Sequence, residues 1–162
     1  SIGDGVMEEL GVSSQSAHEL TEEQAGNLLK VLNEEQVLLL VNALYLKGTG
    51  IGQWGQLNGI AQSINLLPQA LGLMESIIKL GHEDLHEYGP LRTLGRASFI
   101  LPQIFGGDIE KATKLLTKAT RGSLAPGKRF SSNGFNNVYL AEALHGSGKE
   151  NQAKKLLEAF VA

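Results

Sequence analysis

The sequence predicts an all-α fold of stacked antiparallel helix hairpins, and three observations carry that prediction. Apolar residues recur at spacings of three and four through most of the chain, the period of a helix with one buried face. No stretch shows the period-two alternation of a half-buried strand. Glycines and prolines, 20 and 4 of them, gather where one periodic segment ends and the next begins.

Taken in order, Thr21-Glu22-Glu23-Gln24 reads as a capping box, in which the Thr21 hydroxyl and Gln24 amide satisfy orphan backbone donors at a helix start. Leu28, Leu29, Val31 and Leu32 supply the stripe that follows. A second helix is expected from Glu34 to Lys47, buried on most of its circumference and ending at Gly48-Thr49-Gly50. Gly52, Gly55 and Gly59 then share one helical face. Each costs a helix about 1 kcal/mol relative to alanine, so the pattern predicts an irregular helix or a closely packed neighbouring backbone. Pro68 suits the first turn of a helix that runs through Met74 and Ile77 to Gly81.

After a polar stretch, Pro90 opens a helix with Leu91, Leu94, Ala97, Ser98 and Leu101 on one side. Pro102 and the Gly106-Gly107 pair end it. Asp108 caps the next helix, which carries Ile109, Ala112, Leu115, Leu116 and Ala119. An anion-binding role for that helix start is disfavoured, because Asp108 would repel a phosphate. Gly122 to Gly134 reads as a loop, and its Lys128, Arg129 and Phe130 are a weak docking candidate. The last two helices span about Phe135 to His145 and Lys149 to Val161, joined by Gly146-Ser147-Gly148. The expectation is one helical domain over residues 1–162, with less regular helices in 1–81 and two hairpins in 88–162.

Composition narrows the function. A chain of 162 residues that is 42% hydrophobic and 19% charged is an ordinary globular protein. Its net charge of −3 gives no overall basic field for nucleic acid or an anionic membrane. Without cysteine there are no disulfides, thiolate nucleophiles or cysteine-based zinc sites. The longest apolar run, Val37 to Leu46 interrupted by Asn42, is about half the roughly 20 residues of a membrane span, so no transmembrane segment is expected. Ser1 stands where a methionine would and no basic-then-apolar leader follows, which fits a trimmed or mature form.

Two hairpins of the second half look alike. Asp108-Ile109-Glu110-Lys111-Ala112 and Lys149-Glu150-Asn151-Gln152-Ala153 each follow a glycine and open a helix. Leu116 and Ala119 in the first, and Leu157 and Phe160 in the second, stand four and seven residues after the alanine. A small alanine lets the second helix of a hairpin approach the first, and the later residues extend the contact stripe. The pattern resembles the tetratricopeptide repeat, whose second helix carries a small, an apolar and a small residue at the positions of Ala112, Leu116 and Ala119. Ala112 and Ala153 are 41 positions apart, against about 34 in a regular array, so the array is irregular.

The added residues have a form of their own. Leu94-Gly95-Arg96 followed by Pro102-Gln103-Ile104-Phe105-Gly106-Gly107-Asp108-Ile109-Glu110-Lys111-Ala112 resembles the T component of tripartite ATP-independent periplasmic (TRAP) transporters and related bacterial envelope lipoproteins. The resemblance covers roughly Tyr88 to Ala162; the lipoprotein cysteine of those proteins is absent. It implies a non-enzymatic scaffold or transport accessory in the periplasm or cell envelope. The implied protein forms a homo-oligomer, associates with a periplasmic substrate-binding protein and holds an apolar small ligand. The alternative within the same fold is a cytoplasmic adaptor that grips peptides.

One motif argues for an enzyme. His82-Glu83-Asp84-Leu85-His86 is a literal H-E-x-x-H, in which two histidines on one helix face bind zinc and the glutamate activates a metal-bound water. That reading makes His82 and His86 ligands and Glu83 the catalytic base of a zinc-dependent hydrolase. Four observations weigh against it: Gly81 and Gly89-Pro90 leave about two helical turns, Asp84 and Glu87 add charge, Arg92 occupies the third-ligand position and cannot coordinate a cation, and no strand is available to align a peptide. The expected function is therefore partner binding, without cofactor.

Three further residues are candidates for ligand or partner binding. Trp54, the sole tryptophan, stands beside Gly52 and Gly55, where an aromatic floors a pocket or, more commonly, anchors a core. Arg92 and Arg96, four apart on one helix face, suit a carboxylate ligand or an acidic partner, against structural pairing with Glu83, Asp84 or Glu87. His18 and His145 have no recognisable partner pattern.

Overall fold

The computed structural model describes residues 19–59 and 64–162, and His18 lies outside them. Among the described residues the chain is all-helical, with seven α-helices, two short 3-10 turns and no strand. None of the helices is long and apolar enough to cross a membrane. The chain divides into two compact units, residues 1–82 and 83–162, with the division inside the polar connector between the two halves.

In the first unit, α1 (Glu22–Val31) begins with the predicted capping box. Gln24 N–H donates to Thr21 Oγ1 at 3.1 Å, and Thr21 N–H donates to the Gln24 amide oxygen at 2.9 Å. The same reciprocal cap, from Asn33 and Gln36, opens α2 (Glu34–Asn58). This helix does not stop at Lys47 as the glycines suggested. It continues for 25 residues to a Gly59 cap, and the reason is packing. A Cβ on Gly48 would collide with the Met74 side chain and meet the Ala70 carbonyl oxygen at 3.3 Å. Gly48 is thus the point where α3 (Leu67–Lys79) lies closest on α2. Among the described residues the expected close approach at Gly52 and Gly59 is absent, since none of them lies within 4 Å of a Cβ built on either.

The apolar run of α2 is also less buried than expected. Val37, Leu40, Val41 and Leu44 face Leu73, Met74 and Ile77 in the core, whereas Leu39 is 61% and Leu46 68% exposed. Among the described elements, α3 is the main neighbour of α2 and covers one side of it. Ser76 ties the unit's entry to α3: its hydroxyl accepts from Leu20 N–H at 2.8 Å and donates to the Gly72 carbonyl.

The second unit holds α4 (Leu85–Ile100), α5 (Ile109–Gly122), α6 (Gly134–Gly146) and α7 (Glu150–Val161). α4 packs on α5, α5 on α6 and α6 on α7, and α4 also reaches α6. Ala112, Leu116, Ala141, Ala143, Leu144 and Ala153 form one buried cluster with Phe99 and Tyr139 against it. α4 and α5 come close at Gly95, where a Cβ would sit 2.7 Å from Leu116 Cγ and 3.3 Å from Leu115 Cβ.

The double-glycine connector between α4 and α5 has a clear physical logic. Residues 103–105 make one 3-10 turn that ends on Gly106 at φ 88°. That left-handed conformation costs a non-glycine residue about 1–2 kcal/mol. Gly107 then folds against the Leu101 carbonyl, leaving no room for a Cβ. Asp108 N–H thereby reaches the Ser98 carbonyl at 2.8 Å, so the new helix starts beside the end of the old one. Asp108 Oδ1 accepts from the N–H groups of Glu110 and Lys111, both at 2.9 Å, which is the predicted cap.

Two substitutions test this packing in opposite directions. Gly95→Ala is expected to destabilise the protein by about 1–3 kcal/mol through overpacking. Gly52→Ala, in open space on α2, is expected to stabilise it by about 0.5–1 kcal/mol. Urea denaturation followed by circular dichroism measures both.

Candidate functional site

The connector that carries the zinc-protease-like motif is not a helix of the required kind. His82 follows the end of α3, its N–H donating to the Ile77 carbonyl at 3.1 Å. Helical hydrogen bonding begins only at Leu85. The next three residues are left-handed, with φ 50° at His86, 55° at Glu87 and 64° at Tyr88. The right-handed course of α4 resumes at Gly89-Pro90, where Pro90 has the first-turn role expected of it. His82 and His86 therefore do not share a helical face. Glu83 pairs with Lys118, and no group of three His, Cys, Asp or Glu among the described residues is placed to hold a metal ion.

Three consecutive left-handed L-residues cost about 3–6 kcal/mol together, so something must hold them. The Glu87 carbonyl accepts from Arg92 Nη1 at 3.1 Å and from Asn136 Nδ2 at 3.0 Å. Its carboxylate accepts from the Ser132 hydroxyl at 2.8 Å and the Asn133 amide at 2.9 Å. Tyr88 N–H donates to the Asp84 carbonyl at 3.1 Å, and the Tyr88 ring covers Gly122, where any Cβ would collide with it. Hydrogen bonds contribute about 0.5–1.5 kcal/mol each, and those to charged groups about 1.5–3. Four such bonds to Glu87 offset the strain.

Beneath the turn lies a buried polar cluster. Ser123, Ser131, Asn136 and Asn137 are all buried. The hydroxyls of Ser123 and Ser131 are 2.6 Å apart, and Asn136 Nδ2 donates to Ser123 Oγ at 2.8 Å. Asn137 accepts from Ser131 N–H at 2.8 Å and donates to its carbonyl at 2.9 Å. No buried side-chain nitrogen or oxygen among the described residues lacks a partner. The loop expected between Gly122 and Gly134 is thus pinned at its base: Ser123 and Ser131 meet here, and Leu124 and Ser131 form a β-bridge.

Arg92 belongs to this cluster, with Nη1 also donating to Asn136 Oδ1 at 3.1 Å. Arg96 points elsewhere. It is ion-paired to Glu142, and its guanidinium carbon lies 4.5 Å from the Tyr139 ring centre and 5.6 Å from that of Phe99. Phe135, 62% exposed, stands against Tyr139 with ring centres 5.7 Å apart. Together these side chains make an aromatic and cationic shelf on α4 and α6. Trp54 belongs to the other unit, 42% exposed on the second half of α2. Within the 83–162 unit Arg92 and Arg96 are thus not brought into one site, Arg92 bonding to Glu87 and Asn136 and Arg96 to Glu142.

A second surface of the 83–162 unit went unread in the sequence. An open groove of about 990 Å³ runs along α5, lined by Lys114, Lys118, Arg121 and Lys149 among others. Its signal was present as Lys111, Lys114, Lys118 and Arg121 at helical spacing. The near-neutral total charge masked it: residues 83–162 carry 11 Lys and Arg against 8 Asp and Glu, while residues 1–82 carry 3 against 9. No protein-family model, curated protein or solved structure matches the chain.

The Glu87 turn generates two expectations. Hydrogen bonds from Asn133 and Ser132, with the nearby Arg92 charge, hold the Glu87 carboxyl below its ordinary value. The group therefore adds stability that is complete above the unfolded-state pKa, about 4.3, and is lost as pH falls through the lowered folded value. The stability gap between the wild type and Glu87→Gln should be constant near neutrality and shrink as pH falls below the ordinary carboxyl range, as read by denaturant titration at each pH. Asn136→Ala, which strands buried partners, is expected to cost about 2–4 kcal/mol.

Proposed function

We propose that this chain is a non-enzymatic helical-hairpin protein that works by holding a protein partner, with the shelf on α4 and α6 as its contact face. The observation that carries this reading is the shelf: exposed Phe135 laid on Tyr139, with Arg96 fixed over the same ring by Glu142. Aromatic residues and arginine dominate binding hot spots, because they offer large contact area with few rotatable bonds and a polar handle. Here they are ordered before any partner arrives, which lowers the entropic cost of binding.

The finer reading of the fold as irregular tetratricopeptide-like hairpins is supported by neighbour-to-neighbour packing from α4 to α7 and by the buried Ala112, Leu116 and Ala119 stripe. Placement among periplasmic transport accessories rests on the Pro102 to Ala112 segment alone; in that reading the partner is a substrate-binding protein. The hydrolase reading asks His82, Glu83 and His86 to converge from one helix face. The left-handed backbone at His86 and the Glu83–Lys118 pair favour the scaffold instead.

A photo-reactive residue in place of Phe135, in cells producing the full chain, is expected to give one discrete crosslinked species. Tyr139→Ala should abolish it, and the same residue at Gly127 should not produce it. Absence of any discrete species at Phe135 would sink the shelf as a contact face. Stoichiometric zinc in the purified protein, lost on His82→Ala, would sink the non-enzymatic reading.

A further inference from the structure

The groove along α5 faces a different task from the shelf, and its chemistry specifies the occupant. α5 has 14 residues, which sets a groove length of about 20 Å. At about 3.3 Å per residue, that length accommodates an extended segment of about six residues. Lys114, Lys118 and Arg121 stand along it on one helical side, and Lys149 stands at the far end from Tyr88. Lys114, Lys118, Arg121 and Lys149 are all solvent-exposed. Lys118 is ion-paired to Glu83. Ile109 and the Tyr88 ring add apolar walls at opposite ends.

We propose that this groove seats an extended acidic segment of a partner protein, its carboxylates pairing with Lys114, Arg121 and Lys149. Glu83 then acts as an internal competitor for Lys118, which an incoming carboxylate displaces. The apolar walls and the short length fit a peptide. A long polyanion such as a nucleic acid or an anionic bilayer would run well past a groove of about 20 Å and gain nothing from its apolar ends at Ile109 and Tyr88. This site is independent of the shelf on α4 and α6.

The test is fluorescence anisotropy of a labelled dodecapeptide of alternating Glu and Val, titrated with the full chain. A peptide with Gln for every Glu serves as the control. The acidic peptide should bind and the control should not, with binding weakened as ionic strength rises from about 0.05 M to about 0.3 M. Lys114→Glu combined with Arg121→Glu should weaken binding at least about tenfold, and Lys149→Glu should weaken it less. Glu83→Gln should tighten binding a few-fold, a gain that unfolding cannot mimic. Tyr139→Ala should leave it unchanged, so loss of this site and loss of the shelf are separable. Equal binding of the control peptide, or indifference to the double charge reversal, overturns the proposal. Tighter, equally reversal-sensitive binding of oligothymidylate or phosphatidylserine vesicles also overturns it, in favour of a general polyanion surface.

Discussion

Glu87 accepts hydrogen bonds at both its carbonyl and its carboxylate, from Arg92 and Asn136 on one side and from Ser132 and Asn133 on the other. These four bonds hold a left-handed turn that the chain would otherwise avoid. The turn fixes where α4 starts, and it lays Tyr88 on Gly122 at the end of α5. It also ties the start of α4 to the loop that leads into α6. The geometry of the second unit follows from this one knot, because three of its four helices have an end in it.

The knot explains the allocation of charged residues. Arg92 and Glu87 serve the architecture and leave Arg96, one turn further along α4, to the surface. There Glu142 and two aromatic rings hold its guanidinium. The outer side of α5 presents lysines and an arginine to solvent because its inner side is committed to Ala112, Leu116 and Ala119, all fully buried. A helix packed through such small residues sits close to its neighbours, so long side chains are confined to the opposite face. One constraint therefore yields a tight core and a cationic exterior.

The comparison of α2 with the connector at Pro102 shows how glycine carries different meanings. At Gly106 and Gly107 the local sequence is decisive, since a left-handed turn and a carbonyl contact both exclude a side chain. The end of α4 and the start of α5 were legible for that reason. At Gly48 the same residue type marks no break, because the requirement comes from Met74 and Ala70, over 20 positions away. The Gly48-Thr49-Gly50 stretch by itself favours a helix end; packing against α3 runs the helix on. The exposed Leu39 and Leu46 have the same origin, since apolar character alone does not tell how many neighbours a helix has.

What the sequence by itself determined is the all-helical class, the Thr21 capping box, the Asp108 cap and, to within a residue or two, most helix boundaries of the second half. All of these depend on contacts within a few residues of one another, where side-chain chemistry and backbone geometry act directly. The literal H-E-x-x-H also sat in plain view, but its chemistry depends on backbone handedness. That handedness was decided by Asn136, Ser132 and Asn133, more than 40 positions away. Tertiary structure alone joined Arg96 to Tyr139 and Glu142, and carved the α5 groove beside Tyr88. Each of these is a meeting of residues distant in the chain, set by the packing of whole helices.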